Sequence, residues 1–181
     1  MNPSTMTDAT LGRAVIAAAR ERLDACARRV RHCLDQLDDA QVWWRPRESM
    51  NGIANLLLHL VGSLRQWVVA GTRGTPDQRD RPREFAERGP FPKAELLRRF
   101  DEGVAEADAA LAAVTDAQLL EGRRIQGFEE TVLTAIWNNL SHFNGHTQEV
   151  VFLTRLQLGE HYRFEWVPAT PEEGAPREGQ A

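Results

Sequence analysis

The sequence contains only two cysteines, Cys26 and Cys33, among its 181 residues. They are seven positions apart on an apolar stripe, where the rise of a helix would separate their Cα atoms by about 10 Å, too far for a disulfide. This spacing is typical of a buried seam, so we expect reduced thiols in the core rather than a metal or redox pair.

The chain also lacks an excess of basic charge. It has 22 Lys and Arg against 26 Asp and Glu, which gives a formal net charge of −4. A nucleic-acid-binding domain normally presents a basic face, and the basic clusters here are interrupted by acids. We therefore expect no nucleic-acid partner.

Signals for secretion or membrane insertion are missing as well. Residues 1–10 are polar and lack the regions of a signal peptide, and no apolar run approaches the length of a membrane span. We expect a cytoplasmic protein with no membrane partner. At 42% hydrophobic and 27% charged residues, the composition is typical of a globular protein. We expect a single domain over 1–168, followed by a disordered tail, 169–181.

What the sequence does contain is helical periodicity. Apolar residues recur at steps of three and four, which predicts four amphipathic helices over about 11–37, 49–71, 92–114 and 131–158. Thr7 or Thr10 can cap the first helix and Ser49 or Asn51 the second. Gly159 ends the fourth.

Four such helices can bury their apolar stripes together, so the predicted fold class is all-α, a four-helix bundle. The connection 71–90 between the second and third helices is long and has no apolar periodicity. Its length permits a crossover, and connections this long are uncommon unless they have a function. Between the third and fourth helices, we expect a loop over 115–130 in which Gly122 and Gly127 bracket a short extended piece.

Three histidines form a candidate metal site. His142 and His146 are four residues apart on the fourth helix and share one face. His59 lies among aliphatic residues in the second helix, where an imidazole needs a polar partner. Where these helices pack, three imidazoles can bind one divalent ion, zinc or nickel, and leave a coordination position open as in catalytic sites. The alternative is three interfacial histidines hydrogen-bonded to carbonyls.

Glu149 follows His146 by three residues, and we consider it a fourth ligand, an orienting group or a catalytic proton acceptor, against the alternative of a half-exposed carboxylate. The histidine pair is not a zinc-peptidase motif, because Phe143 stands where that motif has glutamate. In the connection, Arg79 and Arg81 can fold over the open metal position and bind an anionic substrate. The alternative is a solvated loop with local ion pairs.

A histidine in the second helix and His-x-x-x-His on the fourth, in a bundle of this size, resemble the DinB-like superfamily of metalloenzymes, which is unrelated to the lesion-bypass polymerase of that name. The resemblance spans about 11–159. It is sharpest in the runs 51–60, 65–67, 79–81 and 84–85, which are similar to an uncharacterised subgroup.

The resemblance implies a divalent metal at His59, His142 and His146 in a homodimeric cytoplasmic protein. Characterised relatives use the metal with a low-molecular-weight thiol, as bacillithiol transferases and mycothiol-dependent maleylpyruvate isomerase do. It therefore implies a metal-dependent thiol transferase acting on a small-molecule substrate. This chain departs from its relatives in having Glu149 where they commonly have glutamine.

Two other functions stay open from the residues. One is a non-enzymatic metal-binding stress protein, whose site is closed by Glu149 or another internal ligand. The other is a metal-free helical interaction protein in which the three histidines meet by accident.

Overall fold

The computed structural model describes residues 10–166. The predicted disordered tail, 169–181, lies outside them. The described chain contains six helices and one small hairpin: α1 (Leu11–Leu34), α2 (Asp39–Trp43), α3 (Ile53–Arg73), α4 (Arg81–Ala86), α5 (Lys93–Ala112), β1 (Gly122–Ile125), β2 (Phe128–Thr131) and α6 (Val132–Leu158). Short 3₁₀ turns occupy Asp116–Leu120 and Gly159–His161.

The four long helices, α1, α3, α5 and α6, form the predicted bundle. Helices α1 and α3 each pack against both α5 and α6, so α1 and α3 are diagonal to one another. Fully buried Phe100 of α5 and Phe143 of α6 stack in the core with ring centroids 6.1 Å apart. Cys26 and Cys33 are buried free thiols, as expected.

Thr10 caps α1 as predicted, and Thr131 caps α6 at the start predicted for the fourth helix. Thr10 Oγ1 accepts a hydrogen bond from the Arg13 amide at 3.2 Å, and Thr131 Oγ1 accepts one from the Thr134 amide at 3.1 Å. Gly159, with a φ of 55°, ends α6. Side-chain oxygens thus satisfy amides that helix starts leave free.

The predicted caps of α3, Ser49 and Asn51, are wrong. Gly52 is the N-cap and makes no side-chain hydrogen bond. A Cβ at this position would lie 2.8 Å from the Trp44 carbonyl oxygen, so close packing against the end of α2 requires a residue without a side chain. The helix also does not end at Gly71 as predicted. It passes through a π-helical stretch over Leu64–Ala70, continues to Arg73 and is followed by Gly74 in a left-handed conformation.

Helix α3 corrects a second expectation. By length and composition it is apolar enough to cross a membrane, although no such run was expected. Of its most apolar window, 72% is buried inside the bundle. It is therefore placed like the core helix of a soluble protein.

The two long connections are more ordered than their sequences indicate. The link 71–90 contains α4, which packs on α3 and is capped by Asp80, whose Oδ1 accepts from the Arg83 amide at 3.2 Å. Six residues are too few for apolar periodicity to reveal a helix. The extended piece expected within 115–130 is one arm of an antiparallel hairpin, with Gly127 in its turn.

Candidate metal centre

The bundle brings the three predicted histidines together. His59 lies on α3, and His142 and His146 lie one turn apart on α6. His142 Nε2 lies 3.0 Å from His59 Nε2 and 3.1 Å from His146 Nε2. One ligand atom from each ring fits within 4.8 Å of the others, so the three residues can hold a metal ion.

The opposite nitrogens of two of these rings contact carboxylates. Glu84 Oε2 lies 2.9 Å from His59 Nδ1, and Glu149 Oε2 lies 2.8 Å from His146 Nδ1. An ionised carboxylate only accepts hydrogen bonds, so these contacts favour a proton on each Nδ1. At His59 the donor Arg79 Nη2 also lies 3.0 Å from Nδ1. The Nε2 atoms of the three rings face one another, where their lone pairs can bind an ion.

This donor set fits a divalent ion. Burial first, and then the charges of His146, His59, Arg79 and Arg81, lower the pKa of His142 to about 4, so its ring is neutral near pH 7. Three imidazole nitrogens within 4.8 Å of one another can bind a shared cation. Histidine ligands characteristically donate their other N–H to carboxylates. Among the described residues, none of the three rings hydrogen-bonds to a backbone carbonyl, as the interfacial alternative requires.

Arg79 fixes the Glu84 carboxylate. Its Nε donates to Glu84 Oε1 at 2.7 Å and its Nη2 to Glu84 Oε2 at 2.8 Å. Burial by itself would raise the pKa of Glu84, but the hydrogen bonds and charges of Arg79 and His59 lower it. Glu84 therefore stays ionised and acts as the acceptor for His59. Gln66 Oε1 accepts from Arg79 Nη1 at 3.0 Å and supports the guanidinium.

Helix α4 is held against α3 by buried Asn55. Its Nδ2 donates to the carbonyls of Glu84 and Glu87, each at 3.0 Å, and its Oδ1 accepts from Arg45 Nη2 at 2.6 Å. These bonds attach the backbone of α4 next to His59. Asn55 and Glu84 are site residues that the sequence interpretation did not assign, although both lie in the runs that carry the family resemblance.

Gly62 allows this close approach. It lies one turn after His59, and a Cβ there would be 1.9 Å from Glu84 Oε1. Any side chain at this position displaces the carboxylate. Glycine is thus required by the contact between α3 and the Glu84–Arg79 pair.

The two predicted substrate-binding arginines lie in different environments. The Arg79 side chain is 5% exposed and bound to Glu84. Arg81 is exposed, with its guanidinium carbon 5.0 Å from the centre of the Phe85 ring, which in turn lies 4.7 Å from the His59 ring. Substrate binding by either arginine stays a prediction, as does a catalytic role for Glu149.

A cavity of about 320 Å³ adjoins the triad. This volume is near the lower limit for small-ligand sites. His59 and His142 line it, together with Trp67, Arg81, Gln126 and Asn138. Two of the three histidines therefore face a space that a small molecule can occupy.

Comparisons with known proteins agree with this architecture. A crystal structure of a conserved protein from Enterococcus faecalis superposes with a TM-score of 0.67 at 17% identity, covering 79% of this chain and 96% of that one. At this identity the likeness shows the fold alone. No curated protein matches. The family described as "Protein of unknown function (DUF1572)" matches residues 10–170. The chain therefore belongs to the DUF1572 family.

Proposed function

We propose that this protein is a divalent-metal-dependent enzyme of the DinB-like superfamily that activates a low-molecular-weight thiol for transfer to a small electrophile. The observation that carries the proposal is the convergence of three Nε2 atoms beside a cavity, with carboxylates at Nδ1 of two of the rings. The resemblance to thiol-using relatives supplies the reaction type, and zinc or nickel suits the donor set.

The position of Glu149 favours an enzyme over a closed metal-storage or stress protein. Its carboxylate contacts Nδ1 of His146, on the side of the ring away from the other histidines, and its side chain is 56% exposed. A carboxylate bound there orients the imidazole. We infer that Glu149 positions His146 and leaves a coordination position open toward the cavity.

In the proposed reaction, His59, His142 and His146 would hold the ion, which lowers the pKa of a coordinated thiol so that thiolate is present near pH 7. Glu84 and Glu149 keep the Nε2 lone pairs of their histidines directed inward. Arg79 balances the charge of Glu84. The sulfur–carbon bond forms as the electrophile's leaving group departs with its electron pair, and the thiol proton passes to solvent.

The remaining parts of the proposal concern the cellular setting. We infer a cytoplasmic homodimer that acts on small molecules, with neither nucleic acid nor membrane as partner. Support comes from the family resemblance, the net charge of −4 and the burial of α3 inside the bundle.

Cobalt substitution tests the proposed function. We expect the Co²⁺-loaded protein to have a visible absorption spectrum that changes when 2-mercaptoethanol is added, because the thiol reaches an open position. A spectrum unaffected by the thiol would indicate the closed alternative. Failure of Co²⁺ to bind would indicate the metal-free interaction protein.

A further inference from the structure

The cavity beside the triad has an unusual charge balance. Among the residues that the structure describes, no Asp or Glu lines it, whereas Arg79 and Arg81 do. A larger cavity of about 650 Å³ next to α4 is instead lined by charges of both signs, five carboxylates and four arginines. A wall with a cation and no carboxylate attracts anions.

Only one of the two lining arginines has its charge available. Arg79 is bound to Glu84 through two nitrogens, so the pair is neutral as a unit. Arg81 forms no ion pair within residues 10–166, and its contact with Phe85 restricts the guanidinium without neutralising it. The cavity therefore presents one uncompensated guanidinium charge, which matches a monoanion.

A second residue at this cavity, Gln126, has a strained backbone conformation. Gln126 occupies the hairpin turn with a φ of 52°, a left-handed conformation that residues other than glycine seldom adopt. Its side chain is exposed and lines the cavity. Its amide N–H groups can donate to an oxyanion. Glutamine in place of the glycine or asparagine favoured there points to a role for its side chain.

We propose that this cavity binds a small carboxylate, whose anionic end is bound by Arg81 and Gln126 while its reacting end lies at the histidine triad. The planar guanidinium fork matches a carboxylate in shape and charge. This inference rests on the proposed function, since it names the substrate class of the same site.

Two matched probes test the inference by calorimetric titration of the zinc-loaded protein: 3-mercaptopropionate and its neutral amide, 3-mercaptopropionamide. They share the thiol and differ in the charge at the other end. We expect the carboxylate to bind at least about tenfold more tightly, as a charged hydrogen bond provides. In Arg81→Gln with unchanged zinc content, we expect the ratio of the two probe affinities to fall to about one.

Arg83→Gln is the matched control, because it removes the same charge from the same helix at a side chain that does not line this cavity. We expect Arg83→Gln to keep the preference for the carboxylate probe over the amide. A preference that survives in Arg81→Gln, or equal binding of both probes by the wild type, would overturn the carboxylate inference while leaving the metal centre intact. Absence of zinc binding would instead overturn the proposed function, and this inference with it.

Discussion

The Glu84 carboxylate lies 2.9 Å from Nδ1 of His59, although the two residues are 25 positions apart on different helices. This contact favours the Nδ1–H tautomer of His59, whose side chain is only 4% exposed, and it connects the triad to the long link after α3. The link is therefore part of the candidate metal centre.

Glu84→Gln tests this contact. The amide keeps the size of the side chain but removes the negative charge and the ion pair with Arg79. We expect zinc affinity to fall by about 10–100-fold, the usual effect of losing such a partner to a ligating histidine. Competition against a chromophoric chelator measures it.

Asp108→Asn serves as the control, because it breaks an ion pair between Arg20 and a half-exposed carboxylate that lines neither the cavity beside the triad nor the one next to α4. Its zinc affinity should equal that of the wild type. Equal affinities for all three proteins would show that Glu84 does not orient His59.

Gly62→Ala probes the same contact from the other helix. Its Cβ would meet Glu84 Oε1 at 1.9 Å and displace the carboxylate. We expect weaker zinc binding, similar to that of Glu84→Gln, together with a lower melting temperature.

Gly145→Ala is a matched substitution within α6, between two triad histidines, where a Cβ meets nothing within 4 Å. Alanine there should stabilise the helix by about 0.5–1 kcal/mol and leave zinc affinity unchanged. If the two alanine variants behave alike, the close approach at Gly62 is not functional.

Removal of metal should destabilise the fold. A ligand that binds only the native state at 100 times its Kd adds about 2.7 kcal/mol to the free energy of unfolding. We expect chelation to lower the melting temperature of the wild type, as measured by calorimetry. In His142→Ala the chelator should have no effect; an equal shift there would place the metal elsewhere.

Gln126→Gly separates stability from binding in the hairpin turn. Glycine adopts the observed φ of 52° without strain, so we expect an equal or higher melting temperature. The same variant loses an amide at the cavity and should bind 3-mercaptopropionate more weakly than the wild type does. Unchanged probe affinity would remove Gln126 from the site.

The fold was predictable where sequence periodicity is long. The start of α1 and the end of α6 follow from Thr10 and Gly159, because capping depends on local chemistry. The start of α3 did not follow, because Gly52 is selected by packing against Trp44 and not by its own hydrogen bonding.

The candidate site was predictable in part for the same reason. The spacing of His142 and His146 is visible along one helix, and His59 is conspicuous among aliphatic residues. Glu84 was not identified, because its role arises only when Asn55 holds α4 against α3. The contrast between Arg79 and Arg81 also depends on tertiary contacts, since both carry the same charge in the sequence.

Elemental analysis of the purified protein beside His59→Ala, with Gly145→Ala as a folded control, tests the central claim most directly. The three-histidine centre predicts roughly one divalent ion per chain in the wild type and the control, and a large loss in the histidine variant. A wild type without stoichiometric metal, or a His59→Ala variant with unchanged metal content, would contradict it.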